Sequence, residues 1–324
     1  MTPSSKRTTS ADVAREAGVS RTTVSYVLNK RPGQTIPEET RRRVLEAAER
    51  LHYRPHASAR ALAAGHTDVV LLSIPDLPLG SSLGRYVEEL AAALAEHGLT
   101  LVTHLMRAHG RALTDVCAAV GASAVLGFHA FDEDTVRALH RLGAMVVMPA
   151  TDYSPVMTSQ GRIQAEHLIE RGHRHIGYLL PVEPGFAGIA QGRLKGVGEA
   201  CLAADLLPPA VLSGALKIDT LADLATRWRK GGVTAVCAYN DEYAIALLAA
   251  MRSIGLSAPG DLAVVGADDI PVACFTDPPL STVCVDLHLA GRHRAEAVVA
   301  RLRRSEEPET TPIDNVRLIE RSTT

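Results

Sequence analysis

From residue 68 to residue 303 the chain repeats one two-part unit, and that repetition limits its fold more than any other feature. A short run rich in β-branched residues is followed each time by a longer stretch with apolar residues at helical spacing. The spacing predicts strands at 69–74, 99–105, 124–128, 144–148, 175–180, 233–238 and 262–266. Helices are predicted at 82–97, 112–120, 132–142, 160–171, 191–204, 221–229, 241–254 and 287–303. Alternating strands and helices build a doubly wound parallel sheet with helices on both faces. In such sheets ligands bind beyond the carboxyl ends of the strands. Polar residues stand at several of these ends. Asn240 and Asp241 follow one strand, Asp268 and Asp269 another, and Arg193 opens a helical stretch after a Gly/Pro loop. Carboxylate, amide and guanidinium groups suit hydrogen bonding to a small polar ligand. The plainer alternatives are that Asp241 caps a helix and Asp269 holds a loop.

The first 66 residues read differently. Thr9 followed by Asp12 forms a capping box, which predicts a helix from Ser10 with Val13, Ala14 and Ala17 as its apolar stripe. Gly18 supplies the left-handed turn that ends it. Ser20 then caps a second helix whose apolar face is Val24, Val27 and Leu28. Two short helices about a tight glycine turn make a helix-turn-helix. The solvent side of the second helix carries Arg21, Thr22, Ser25, Tyr26 and Asn29, side chains able to reach base edges and phosphates in a major groove. Pattern alone leaves open a plain helical hairpin with a solvated polar face. A third helix is expected from Pro37, with Val44, Leu45, Ala48 and Leu51 turned inward. Residues 56–64 form a helix-prone segment of about two turns, too short to be stable alone in water.

Charge divides at the same place. Residues 1–66 hold 12 Lys and Arg against 6 Asp and Glu, a net of +6, and the remainder carries −8. A basic arm on an acidic body is what a chain needs when only one end meets a polyanion.

Other classes find little support. G-x-x-x-x-G-K-[ST] and a strand-following G-x-G-x-x-G do not occur in the sequence, and no enzyme is expected. His173 and His175 are two donors without a third, so no metal site is expected. No cofactor is expected either. The five cysteines are scattered without C-x-x-C pairing, which suits reduced, mostly buried thiols in a cytoplasm. No apolar run approaches the ~18 residues of a membrane span, and the segment MTPSSKRTTS lacks the apolar run of a signal peptide.

The series Ala14-Arg15-Glu16-Ala17-Gly18-Val19-Ser20, continuing through Thr23-Val24-Ser25 to Val27-Leu28-Asn29, resembles the headpiece of the lac repressor (LacI/GalR) family of bacterial transcription factors. Glu38 to Val44 resembles that family's third helix. Tyr53-Arg54-Pro55 with Ala59-Arg60-Ala61-Leu62 resembles its hinge. Gly172-His173-Arg174, Asn240-Asp241-Glu242 and Val264 to Asp269 recur in family order. Nearly the whole chain is covered.

This resemblance implies a helix-turn-helix headpiece at 1–54, a hinge at 55–67 and an effector-binding body at 68–324. The body is implied to be two doubly wound lobes similar to periplasmic sugar-binding proteins. One lobe holds about 68–157 and 286–314, the other about 158–285 and 315–324, with crossings near 153–159, 284–287 and 312–316. Arg21, Thr22 and Tyr26 are expected to read bases, and Thr9, Ser20, Thr23, Ser25 and Asn29 to position phosphates. Tyr53, Ser58 and Ala59 are implied as further DNA contacts, with Leu62 as a wedge between base pairs in the minor groove. Arg193, Asn240 and Asp268 are implied to hydrogen-bond a small effector, facing Asp76 across the cleft.

Three departures from the family pattern bear on these expectations. Pro37 replaces a capping serine, His56 stands where an asparagine is common, and 76–83 lacks the usual aromatics, which puts a sugar effector in doubt. The expected protein is a cytoplasmic, nucleoid-associated homodimeric repressor on a near-palindromic operator. Helices 82–97 and 241–254 are its expected interface, burying Val87, Leu90, Leu94, Leu247 and Met251 between subunits.

Overall fold

The computed structural model describes residues 8–28, 36–53, 67–74, 80–106, 110–128, 131–148, 154–305 and 316–324. Three helices open the chain: α1 (Ser10–Ala17), α2 (Arg21–Leu28) and α3 (Glu38–Arg50). The Asp12 carboxylate accepts from both the backbone N–H and the hydroxyl of Thr9, at 2.9 and 2.7 Å. Gly18 ends α1 at φ 63°, in the left-handed region. Ser20 Oγ accepts the Thr23 N–H at 3.0 Å, supplying one of the orphan donors at the start of α2. Val13, Val24 and Val44 meet at the centre of a small core with five alanine and valine neighbours. The third helix differs from expectation at two points. Its first helical residue is Glu38, with Pro37 at the cap. Its inner stripe is Val44, Ala47, Ala48 and Leu51, whereas Leu45 is 49% exposed. The spacing i, i+3, i+4, i+7 explains this, because Leu45 lies about 100° around the helix from Val44.

The body contains two sheets. The first is four-stranded and parallel, from β1 (Val69–Ile74), β2 (Thr100–Leu105), β3 (Ala124–Gly127) and β4 (Val146–Met148), in the order β2-β1-β3-β4. Helices α4 (Ser81–Glu96), α5 (Leu113–Val120) and α6 (Glu133–Arg141) connect these strands. One face of the sheet packs Leu90 and Leu94 of α4 with Ala295 and Val298, and the other packs Cys117 and Leu139.

The second sheet has six strands. These are β5 (Ile176–Leu180), β6 (Ala210–Ser213), β7 (Ala235–Ala238), β8 (Ala263–Ala267), β9 (Ser281–Val285) and β10 (Val316–Ile319), in the order β10-β9-β8-β7-β5-β6. All pairings are parallel except β10 with β9. Helices α7 (Ser154–Glu170) and α8 (Ala187–Ala203) cover one face, and α9 (Ile218–Lys230) and α10 (Asp241–Ser253) the other. The last helix, α11 (Leu287–Arg303), follows β9 but packs on α4 of the first lobe.

Three strands escaped the periodicity. β6 and β9 lie just behind Pro208-Pro209 and Pro278-Pro279, and β6 and β10 are four residues long. Runs that short beside prolines read as loop. The helix expected from residue 160 begins at Ser154. Pro155 lies in its first turn, where a missing N–H costs nothing, so the segment 154–159 is helical. The proposed interface residues are also corrected. Leu90, Leu94, Leu247 and Met251 are at most 1% exposed within the single chain, and Val87 packs beside the first-lobe core. Their apolar stripes are the inward faces of their own lobes, so they are not available to a second subunit.

Candidate functional site

On the headpiece, capping decides which groups are held and which are free to reach outward. The hydroxyls of Thr9 and Ser20 are tied to their own helix starts, Ser20 also lying 2.9 Å from the Thr23 hydroxyl. Arg21 and Thr22 are exposed on the first turn of α2, while Thr23, Ser25 and Tyr26 are half-buried beside them. Tyr53 packs against the headpiece core. The three helices thus present one polar edge, led by the N-terminal turn of α2. Asn29, Ser58, Ala59 and Leu62 lie outside the described residues, as does Asp76.

The second site is built around two helices that touch backbone to backbone. A methyl group at Gly161 of α7 would overlap the Arg193 carbonyl, and one at Gly196 of α8 would overlap the Thr158 carbonyl. This contact brings Gln160 against Arg193. The guanidinium of Arg193 is 4% exposed. Its Nε and Nη2 donate to Gln160 Oε1 at 3.0 and 2.9 Å, Nη1 donates to the Tyr239 carbonyl at 2.6 Å, and Nη2 reaches Asp268 Oδ1 at 2.5 Å. It also lies over the Tyr239 ring, 5.2 Å from its centroid. Burial works against this charge, but Asp268, helped by the phenols of Tyr239 and Tyr178, more than restores it, and the Arg193 pKa rises. The Asp268 side chain remains 15% exposed.

Arg193 and Asp268 are therefore brought together, as one ion pair at the carboxyl end of β8. Both Asp268 and Asp269 have positive φ, 107° and 50°. Asp269 is held by Arg321 at 2.7 Å, the loop-holding role that its position allowed. Asn240, rather than Asp241, caps α10: its Oδ1 accepts the Tyr243 N–H at 3.0 Å, and its Nδ2 donates to Glu242 at 2.6 Å.

Several participants were not singled out from the sequence. Gln160 completes the Arg193 socket. Gln164 donates to the carbonyls of Ala238 at 3.0 Å and Gly266 at 2.8 Å, tying the ends of β7 and β8 together. Phe186, Tyr239 and Tyr243 form an aromatic group, with centroids 5.0 Å apart for Phe186–Tyr239 and 5.9 Å for Tyr239–Tyr243, and the Tyr243 hydroxyl donates to Glu183. Burial raises the Tyr239 pKa, Arg193 opposes this, and Asp268, Glu242 and Glu183 raise it further, so three carboxylates act on one ring. The sequence held one signal for this arrangement: Gly192 and Gly196 flank Arg193 with small residues, as a close helix pair requires.

The strand order reverses between β5 and β7, and Phe186, Tyr239, Asn240 and Asp268 all follow strand ends around that point. A two-lobed α/β body with polar and aromatic groups at this switch point, preceded by a helix-turn-helix, defines the class of ligand-binding transcription regulators. Residues 9–56 match the family described as bacterial regulatory proteins, lacI family, and residues 165–324 match the periplasmic binding protein-like domain. The chain is 31% identical to the HTH-type transcriptional regulator GalS of Salmonella typhimurium, over 84% of this chain and 83% of that one. It is 30% identical to the HTH-type transcriptional regulator reg1 of Streptomyces lividans, over 84% of each. Among solved structures, the lac repressor dimer bound to operator and the anti-inducer ONPF superposes with a TM-score of 0.76 at 23% identity, covering 98% of this chain and 99% of that one. The regulator CelR in complex with cellobiose gives 0.62 at 27%, covering 98% and 100%.

This chain belongs to the lacI family of bacterial regulatory proteins. It is a transcriptional regulator with a DNA-binding helix-turn-helix domain and an effector-binding body. Its relatives are regulators rather than enzymes. Among the described residues, no helix is long and apolar enough to cross a membrane.

Proposed function

We propose that the chain is a homodimeric repressor that binds a near-palindromic operator and releases or grips it according to a small effector held between its lobes. The observation that carries this reading is the capped α1–turn–α2 unit, which leaves Arg21 and Thr22 exposed on one helical turn while fixing that turn rigidly. On this reading Arg21, Thr22 and Tyr26 read bases, while Thr9, Ser20, Thr23, Ser25 and Asn29 position phosphates. Tyr53, Ser58 and Ala59 add backbone contacts, and Leu62 wedges into the minor groove, kinking the duplex as apolar wedges do. The units are 1–54, 55–67 and 68–324.

Arg193, Asp268 and Asn240 form one wall of the effector cleft, with Asp76 opposite. Arg193 acts chiefly by fixing Asp268. Phe186, half-buried and backed by the buried rings of Tyr239 and Tyr243, offers apolar ring surface that the 76–83 segment lacks, which favours a hydroxylated, ring-shaped effector such as a sugar. For the dimer, Val272 and Phe275, 54% and 84% exposed on the turn after β8, replace the helix stripes as candidate contacts. Five free cysteines, four of them buried, support a cytoplasmic location. The chain carries no catalysis of its own.

The test is to sequence genomic fragments retained by the purified protein and by a form lacking residues 1–64. Enrichment of a two-fold symmetric site by the full chain alone is expected. Equal retention by both forms would sink the reading.

A further inference from the structure

Asp241 has no part in capping α10, yet it is a carboxylate with 0% exposure at the first position of that helix. Its two oxygens are both engaged, one on β9 and the other on the loop that follows β8. Oδ1 accepts the Thr282 hydroxyl of β9 at 2.6 Å, and Oδ2 accepts the backbone N–H of Ile270 at 2.8 Å. The space it occupies is reserved for it, because any side chain on Gly266 at the end of β8 would overlap Oδ1. Between Gly266 and Ile270 the chain takes two successive residues at positive φ, Asp268 and Asp269. Non-glycine residues hold that conformation only when the surroundings over-determine it. The loop is pinned at Asp269 by Arg321 and at Ile270 by Asp241, and it delivers Asp268 to Arg193.

We infer that Asp241 is a positioning residue of the effector cleft, which orients the Asp268 carboxylate by fastening Ile270 and Thr282 to the N-terminus of α10. This inference rests on the reading of that cleft as the effector site.

The charged groups around Asp241 make this fastening sensitive to pH. Asp268 and Asp269 face it from the β8 loop, partly offset by their partners Arg193 and Arg321, and Glu242 follows it on its own helix. Burial, with further help from Asp268 and Asp269, pushes the Asp241 pKa from 3.8 up to about 7, against the bonds from Thr282 and Ile270. A carboxyl group whose pKa is raised in the folded state holds its proton more firmly there than in the unfolded chain. Its stabilising share is therefore complete below about pH 4 and lost as pH rises through about 7. Asparagine at this position can accept from Ile270 and donate to Thr282, copying the protonated acid without titrating.

The experiment is hydrogen exchange by mass spectrometry on the full chain between pH 6 and 8.5, corrected for intrinsic rates, in wild type, Asp241→Ala, Asp241→Asn and Thr282→Val. Asp241→Ala should speed exchange in 268–275 at least tenfold, with peptides of α9 and the centre of α10 unchanged. Asp241→Asn should restore wild-type protection at pH 6 and abolish the loss of protection that wild type shows through pH 7. If Asp241→Ala fails to fold, Thr282→Val carries the test through a smaller, equally local loosening. Unchanged exchange in 268–275, loosening spread evenly over the lobe, or a pH step retained in Asp241→Asn would each overturn the inference. A gel shift on the same preparations keeps the two ideas separate. Failure of wild type to bind any operator would sink the repressor reading and leave the loop result standing.

Discussion

The polar side chains that matter in the headpiece face outward, and those that matter in the second lobe face inward. Arg21 and Thr22 lie exposed on α2. Arg193, Gln160, Gln164 and Asp241 are nearly or fully buried, and each is held by two or more partners. The first set is supported from behind by Val13, Val24 and Val44, residues with no chemistry of their own. The second set is its own support, since the groups placed at the cleft also hold β7, β8, α7 and α8 together. A reading edge can therefore change its side chains without losing its fold, whereas a cleft of this kind cannot.

Substitutions should separate the two cases, and the largest effect is expected at Arg193. Arg193→Ala leaves Asp268 and the Gln160 carbonyl oxygen without their shared donor. Removing one partner of a buried pair costs about 3 to 5 kcal/mol, and the partial exposure of Asp268 points to the lower end. Calorimetry should show the body melting roughly 10 °C lower. A melting point within a degree of wild type would mean that the lobe does not depend on this network.

Gly196→Ala comes next. The added methyl meets the Thr158 carbonyl, and forcing α7 from α8 should cost about 1 to 3 kcal/mol, as overpacking does. Urea unfolding measures this, and a variant as stable as wild type would show that the helices separate freely.

Arg21→Ala should show the opposite pattern. Stability should hold within about 0.5 kcal/mol, while discrimination at one base pair of each half-site falls by ~1 to 3 kcal/mol. A binding selection that returns the wild-type site would remove Arg21 from the reading set. The smallest effect is expected for Ser20→Ala, which removes the acceptor for the Thr23 N–H and should cost about 1 kcal/mol of headpiece stability. It should weaken binding to all sequences alike, and a change in preferred bases would show that Ser20 reads sequence.

The same contrast accounts for what could be read in advance. Local and periodic features are written along the chain: the Thr9–Asp12 pairing, the Gly18 turn, the Ser20 cap, and the alternation that predicts a doubly wound parallel sheet. Each depends on residues within a few positions of one another, so sequence alone determined the headpiece, the fold class and the strand ends where polar residues collect. Pairings between residues far apart in the chain were decided only by tertiary structure. Gln160 meets Arg193 because Gly161 and Gly196 let two helices close on each other. Asp241 meets Thr282 because β9 lies beside β8, and β9 itself was hidden behind two prolines. The stripes on α4 and α10 had the right period for a subunit interface, but periodicity shows only that a face is buried. The folded lobes decided what buries it.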